Sequence, residues 1–286
     1  MNLLILLIMR SRHSSHSAYS TRPARGQHSS RAQQYSAHGS REKIYIYGKH
    51  ALMEALANAP HTVRKVFLSP EVDDAELRAL LKKLNLTPGV LKTREMDHMV
   101  GRETAHQGVI AVTDPGSLLL DFKEFLAGLR PTESTMLVLL DELTDPHNVG
   151  AIIRSAAAFG AAGVLLPVHN QAPITGTVVK TSAGMAFRVQ LVSIGNVNQA
   201  VDALAKIGFR TYGLVMNGSQ NIADEKFDAP ALFIVGNEGD GIRQKTMERC
   251  DVGLRIPMNA RTESLNASVS ASVVLYQWSV RHPNAL

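Results

Sequence analysis

Between residues 135 and 286 the sequence repeatedly breaks into short apolar runs that do not alternate with polar residues. They fall at 135–140, 163–166, 189–192, 210–214, 231–235 and 252–256. A strand with one wet face alternates; a strand covered on both faces reads as continuous Val, Ile and Leu. Helical patterns at 146–159, 197–206 and 265–280 lie between or after these runs. The combination predicts an α/β domain over 135–286: a mostly parallel sheet with helices on both faces.

A smaller α/β module precedes it, over 42–113. Strands are expected at 44–47 and 63–68, helices at 50–57 and 73–84, and short apolar segments at 89–91 and 108–112. Pro115, Gly116, Gly128 and Pro131 mark 114–134 as a linker holding one short helix. A length of 286 residues suits two such domains. The formal net charge of +5 belongs to the first 41 residues, which hold six arginines and no acid. Residues 42–286 are close to neutral, so nucleic-acid binding by the body must rest on local patches. Nine serines accompany those arginines, and such a segment is expected to stay disordered. It reads as a dispensable extension or a misassigned start, with an organellar transit peptide as the alternative to a cytoplasmic location. One cysteine, Cys250, rules out an intrachain disulfide framework. His50, His61, His98 and His106 lack metal-ligand spacing and read as surface or RNA-contact residues, so no metal is expected. No apolar run reaches the length of a membrane span.

Three segments carry chemistry. In the first, a strand ending at Asp141 leads through Thr144, Asp145, Pro146, His147 and Asn148 into a helix. Thr144 or Asp145 can cap it, and Pro146 suits its first turn. Val149, Ile152, Ala156 and Phe159 form its core stripe. Arg154 lies about 200° round the helix from Ile152, pointing away from the core, beside surface left open by Gly150. In the second segment, a strand runs into Gly236, Asn237, Glu238, Gly239, Asp240 and Gly241. Glycines let backbone amides approach a ligand, but Glu238 and Asp240 would repel a pyrophosphate, so a ligand without phosphates fits. In the third, Ile256-Pro-Met leads to Ser264-Leu-Asn-Ala-Ser268, where Ser264 or Thr262 can cap the last helix. Each segment taken singly is also readable as an ordinary strand-to-helix turn. Polar residues at the carboxyl ends of parallel strands favour a ligand site.

Taken in order, these segments resemble the three motifs of the SpoU/TrmH family of RNA 2′-O-ribose methyltransferases, within the SPOUT superfamily. The carriers are Asp145 to Arg154, Val235-Gly-Asn-Glu-Gly239 and Ile256-Pro-Met…Ser264-Leu-Asn-Ala-Ser268. Tyr47-Gly-Lys-His-Ala and His106-Gln-Gly-Val-Ile-Ala111 are similar to the family's ribosomal-protein-like RNA-binding domain. Ala267 departs from the common Val, and the arginine-rich tail is not a family feature.

The resemblance implies a trefoil-knotted catalytic domain, S-adenosylmethionine as cofactor, and a homodimer whose site draws on both subunits. By position it assigns Gly236, Ile256 and Leu265 to the cofactor, and Asn148, Arg154, Glu238, Ser264 and Asn266 to catalysis and substrate orientation. Guanidinium is a poor base, so Arg154 is read as a phosphate ligand and stabiliser of the developing alkoxide; the resemblance also admits it as the base. Glu238 is a candidate to orient Arg154 or, as the alternative, to accept the hydroxyl proton. Lys43, Lys49, Arg64, Lys65, Lys82, Lys83, Lys92 and Arg94 offer a face for the RNA backbone. The expected substrate is a guanosine of large-subunit rRNA. A tRNA guanosine and a non-catalytic ribosome assembly factor are the competing readings.

Overall fold

The computed structural model describes residues 44–285, apart from 103, 260 and 263. The basic tail and Lys43 lie outside these residues. The first domain comprises β1 (Ile44–Tyr47), α1 (Lys49–Asn58), β2 (Val63–Leu68), α2 (Ala75–Lys83), β3 (Gly89–Val90), α3 (Thr93–Val100) and β4 (Val109–Thr113). Its sheet has the order β1-β4-β2-β3, with β4 antiparallel to both neighbours. α2 starts where the Asp74 side chain accepts the Leu77 amide, and it buries Leu77 and Leu81. α3 was not expected from the sequence; Met96 is its only fully buried side chain.

The segment 114–134 has the expected short helix, α4 (Phe122–Gly128), and in addition a strand, β5 (Leu119–Asp121). β5 pairs with β8 (Leu191–Ile194), so this segment contributes an edge of the large sheet as well as a connection. Three residues ending in Asp leave too little pattern to read as a strand.

The remaining elements are β6 (Met136–Asp141), α5 (Pro146–Ala158), β7 (Gly163–Pro167), α6 (Gly176–Thr181), α7 (Val197–Lys206), β9 (Arg210–Leu214), β10 (Gln220–Asn221), β11 (Ala231–Gly236), α8 (Gln244–Met247), β12 (Val252–Arg255) and α9 (Ala267–Arg281). The large sheet has the order β10-β12-β9-β11-β6-β7-β8-β5. Every pairing in it among the described residues is parallel. The central strands β6 and β11 are buried almost throughout, as their unbroken apolar sequences require. One apolar cluster joins one face of the sheet to α5, α6 and α9 and includes Phe227, Phe233 and Trp278. A second packs Phe125, Val197, Val201, Leu204 and Phe209 against the other face. The chain steps outward from β6 through β7 to β8, then crosses to β9 on the far side of β11. The resulting switch point puts a crevice at the carboxyl ends of β6, β9 and β11, where open α/β sheets take ligands.

No helix among the described residues is long and apolar enough to cross a membrane.

Candidate active site

The loops leaving β9, β11 and β12 enclose a cleft of about 850 Å³. Val235, Gly236 and Ile242 form one wall, Leu214 to Asn217 a second, and Leu254, Ile256, Ser264 and Leu265 a third. Of the eight residues singled out from the sequence, Gly236, Glu238, Ile256, Ser264, Leu265 and Asn266 line it. Sequence analysis missed the 214–217 wall; its signal was a strand end followed by Asn217-Gly218, the same kind of punctuation as at 236–241.

Asn148 lies behind this lining, buried at 7% exposure in the first turn of α5. Its Nδ2 donates to Glu238 Oε1 at 2.9 Å, and its Oδ1 accepts from Asn266 Nδ2 at 2.9 Å. One amide thus ties the ends of β6, β11 and the 256–266 segment together. Asn266 also caps α9, its Oδ1 accepting the Ser268 and Val269 amides. This corrects the expectation that Ser264 or Thr262 caps that helix: both fall short of the first helical residue, and Asn266 adjoins it. Of the two candidate caps for α5, Asp145 does the work, accepting the His147 amide at 2.8 Å.

The glycine-rich loop is a closed turn. Asn237 and Gly241 exchange backbone hydrogen bonds at 3.0 Å, and Gly241 has a φ of +71°. A Cβ on Gly236 would collide with the backbone of Gly241 and Ile242. Asn237 Nδ2 donates to the Glu142 carbonyl at 2.7 Å. An ion pair with one buried partner, not foreseen from the sequence, pins the far end: the half-exposed Arg243 reaches the fully buried Asp141 through Nη2 at 2.6 Å and Glu142 through Nη1 at 2.6 Å. The Arg243 amide adds a 3.2 Å bond to Asp141. Asp141 and Arg243 therefore set the loop's shape, and a buried carboxylate there requires such pairing.

Arg154 does not reach this cleft. It is exposed, about 9 Å along α5 from Asn148, with no hydrogen bond or ion pair among the described residues. Glu238 is held by Asn148 and has no contact with Arg154 of its own chain among the described residues. The surface beside Arg154 is also not opened by Gly150. That glycine is buried against α6, where a Cβ would meet Thr181 Cβ at 2.7 Å and the Val178 carbonyl at 2.9 Å. α5 and α9 run side by side through a Ser155–Ser272 hydrogen bond at 2.7 Å and an edge contact of Phe159 with Tyr276. The neighbouring face of α9 exposes Val269, Val273, Tyr276 and Val280.

In the first domain, Lys49 is paired with Asp74 and Arg64 with Asp114, which takes both out of a free basic face. Lys65, Lys82, Lys83, Lys92 and Arg94 stay exposed. His106 is a core residue, not a surface contact. Its Nδ1 accepts the Gly108 amide at 3.0 Å, and Nε2 meets Asp97 at 3.1 Å. A local bond to its own turn draws the ring inward.

The cleft suits S-adenosylmethionine. It is walled by apolar side chains, carries no cationic side chain among its lining residues, and presents Glu238 and Asp240 at its edge, where a cationic sulfonium is favoured. The backbone pinch at Gly236 packs the loop's own main chain together and so fixes the shape of this wall.

A parallel α/β sheet with a cleft at its switch point, lined by residues of two of the three motifs and braced from behind by Asn148 of the other, is the architecture of a ligand-binding α/β enzyme domain. The SpoU rRNA Methylase family profile matches residues 135–276, and a profile for RNA 2′-O ribose methyltransferase substrate binding matches residues 45–118. The 23S rRNA (guanosine-2′-O-)-methyltransferase of Pseudomonas putida is 36% identical over 240 residues, 81% of this chain and 94% of that one. An uncharacterized tRNA/rRNA methyltransferase of Mycoplasma pneumoniae is 33% identical over 240 residues, 83% of this chain and 97% of its own. Among solved structures, the SpoU methyltransferase AviRb of Streptomyces viridochromogenes, in complex with AdoMet, shares the fold. It has a TM-score of 0.72 at 23% identity and covers 85% of this chain and 91% of that one. The chain belongs to the SpoU/TrmH family of RNA 2′-O-methyltransferases.

Proposed function

We propose that this methyltransferase modifies the 2′-hydroxyl of a guanosine in large-subunit rRNA and acts as a homodimer. One observation carries the site: the chain of hydrogen bonds from Asn266 through Asn148 to Glu238 at the cleft mouth. S-adenosylmethionine supplies a methyl group on a positively charged sulfur. Gly236, Ile256 and Leu265 hold it, largely through backbone groups and apolar contact. Asn148 and Asn266, locked to each other, hold Glu238 and the 264–266 turn in place and so set the walls along which the hydroxyl approaches; positioning is the larger part of such a reaction. Ser264 lies one residue from Leu265 and two from Asn266 and is read as a ribose ligand. Glu238, among the lining residues, would add negative charge that favours a cationic sulfonium in the cleft.

Arg154 is assigned to the cleft of the partner subunit, where its guanidinium would bind the adjoining phosphate and stabilise the negative charge that develops on the 2′-oxygen, the hydroxyl proton passing to water. Its exposure, its distance from the cleft of its own chain, and the apolar stripe of α9 next to it support that assignment. Exposed apolar stripes of this kind commonly mark subunit interfaces. The family's trefoil threading belongs to this reading too: residues 256–266 share the cleft with both the 214–217 and 236–242 loops. The expected compartment is the bacterial cytoplasm.

The rRNA substrate is supported by the amino-terminal substrate-binding domain and by the Pseudomonas relative's name. Other relatives are named for tRNA and rRNA together. Labelled methyl transfer to whole rRNA and whole tRNA, followed by mapping of the modified nucleotide, decides the matter. Label in one guanosine ribose of the large rRNA is the expected result; label in tRNA alone would overturn the proposed substrate.

A further inference from the structure

α6 and the turn after it contact the substrate-binding domain on one side and α5 on the other. On the first side, the Tyr45 carbonyl of β1 stands where a Cβ on Gly176 would be. Gly184, at a φ of +81°, faces Glu54 so closely that a Cβ would lie 2.8 Å from the Glu54 Cβ. Lys180 Nζ sits 5.0 Å from the centre of the Tyr47 ring. Arg188 grips both carboxylate oxygens of Glu54, Nε at 2.5 Å and Nη2 at 2.9 Å. Beneath these contacts the apolar core is continuous, from Ile46, Ala51 and Leu52 to Val178, Val179 and Ala186. On the other side, Gly150 of α5 packs against Val178 and Thr181, and Thr181 Oγ1 lies 3.4 Å from His147 Nδ1, next to Asn148.

Domains joined only by a linker move independently by default; a shared apolar core with a bidentate ion pair at its rim removes that freedom. The seat is built from Glu54, Gly176, Lys180, Gly184 and Arg188. None of these belongs to the three motifs, and none lines the cleft. We propose that this seat determines specificity by holding the substrate-binding domain at one angle to α5, so that RNA gripped by the first domain presents a single nucleotide to the cleft. The inference rests on the reading of the substrate as structured rRNA. The seat residues act through the geometry of α5 and are positioning residues.

Charge reversal tests it. Glu54→Arg or Arg188→Glu sets like charges face to face, a juxtaposition that opposes docking strongly. Each single variant should speed hydrogen–deuterium exchange in 44–58 and 176–188 and raise KM for a domain-length rRNA fragment by about tenfold. Affinity for S-adenosylmethionine and kcat on a short stem-loop carrying the mapped nucleotide should hold. The double reversal E54R/R188E should recover both exchange and KM, which separates a broken seat from a misfolded chain. Single variants with unchanged exchange and KM, or a double variant that recovers neither, would overturn the seat. A wild-type chain inactive on every rRNA would refute the substrate, while the exchange measurement would still report on the docking.

Discussion

Asn148 is the most committed polar side chain at the cleft, since both ends of its amide are engaged within a buried first helical turn. Asn148→Ala removes both bonds and leaves Asn266 and Glu238 without their shared partner. The expected cost is about 1–3 kcal/mol of stability, with a loss of methyl transfer well beyond what that destabilisation explains. Urea melts beside initial rates would separate the two. Arg154 presents the opposite case: exposed and unpartnered among the described residues, it has little to contribute to folding. Arg154→Ala should leave the melting temperature unchanged and S-adenosylmethionine affinity within about twofold, yet lower kcat by roughly 10²–10³, the scale of a lost oxyanion donor. Calorimetric titration with a single-turnover assay checks this, and wild-type turnover would remove Arg154 from the chemistry. Asn148 and Asn266 were legible in the sequence because each sits in a short motif at the start of a helix, whereas the same motif reading of Arg154 puts it on a surface away from the cleft of its own chain. The Asp141–Arg243 pair was not, because its partners meet only when β6 and β11 align, some hundred residues apart in sequence.

At the scale of elements, the strands were the readable part. β6 and β11 are unbroken apolar runs, and a parallel sheet is the arrangement that buries such runs on both sides. α6 was not legible: Gly-Thr-Val-Val-Lys-Thr has poor helix propensity and is helical because it is wedged between α5 and β1. The loop after β11 makes a sharper claim. Gly236→Ala drives a methyl group into the backbone of 241–242, and overpacking of this kind costs about 1–3 kcal/mol. Since the loop is the cleft wall, the variant should also lose S-adenosylmethionine-induced thermal stabilisation, read by calorimetric melting with and without cofactor. Near α8, burial first, then the charges of Asp251 and Asp141, push the Cys250 thiol up to about 12. Burial first, then the charge of Glu225, raises the Tyr212 hydroxyl well above the usual phenol range. Both groups hold their protons more tightly folded than unfolded. Their stabilisation is therefore complete below about pH 9 and is lost as pH climbs toward 12. Urea midpoints should fall steadily between about pH 9 and pH 12, and a rising midpoint would contradict the assignment.

At the scale of the whole molecule, the question is whether one chain is enough. Asn148, Glu238 and Asn266 gather at one cleft, while Arg154 faces outward beside the exposed stripe of Val269, Val273, Tyr276 and Val280. The first three were drawn together by contacts inside the chain. The fourth has no such contact among the described residues; in the proposed homodimer a second copy brings it to a cleft, and a two-fold arrangement would do so twice. A charge within the stripe, Val273→Glu, should yield a folded monomer by light scattering that binds RNA but transfers no methyl group. Mixing supplies the stricter test. Combine subunits carrying Arg154→Ala with subunits carrying Gly236→Ala, each inactive alone. If Arg154 serves its own cleft, no combination restores a complete site. If it serves the partner's, every mixed dimer holds one intact pair: the unaltered cleft of the Arg154→Ala subunit and the arginine of the Gly236→Ala subunit. Random exchange makes half the dimers mixed and completes one of their two sites, so the mixture should recover about one quarter of wild-type activity. Recovery near that fraction requires the composite site; an inactive mixture, with subunit exchange verified by mass spectrometry, would place Arg154 outside the partner's cleft.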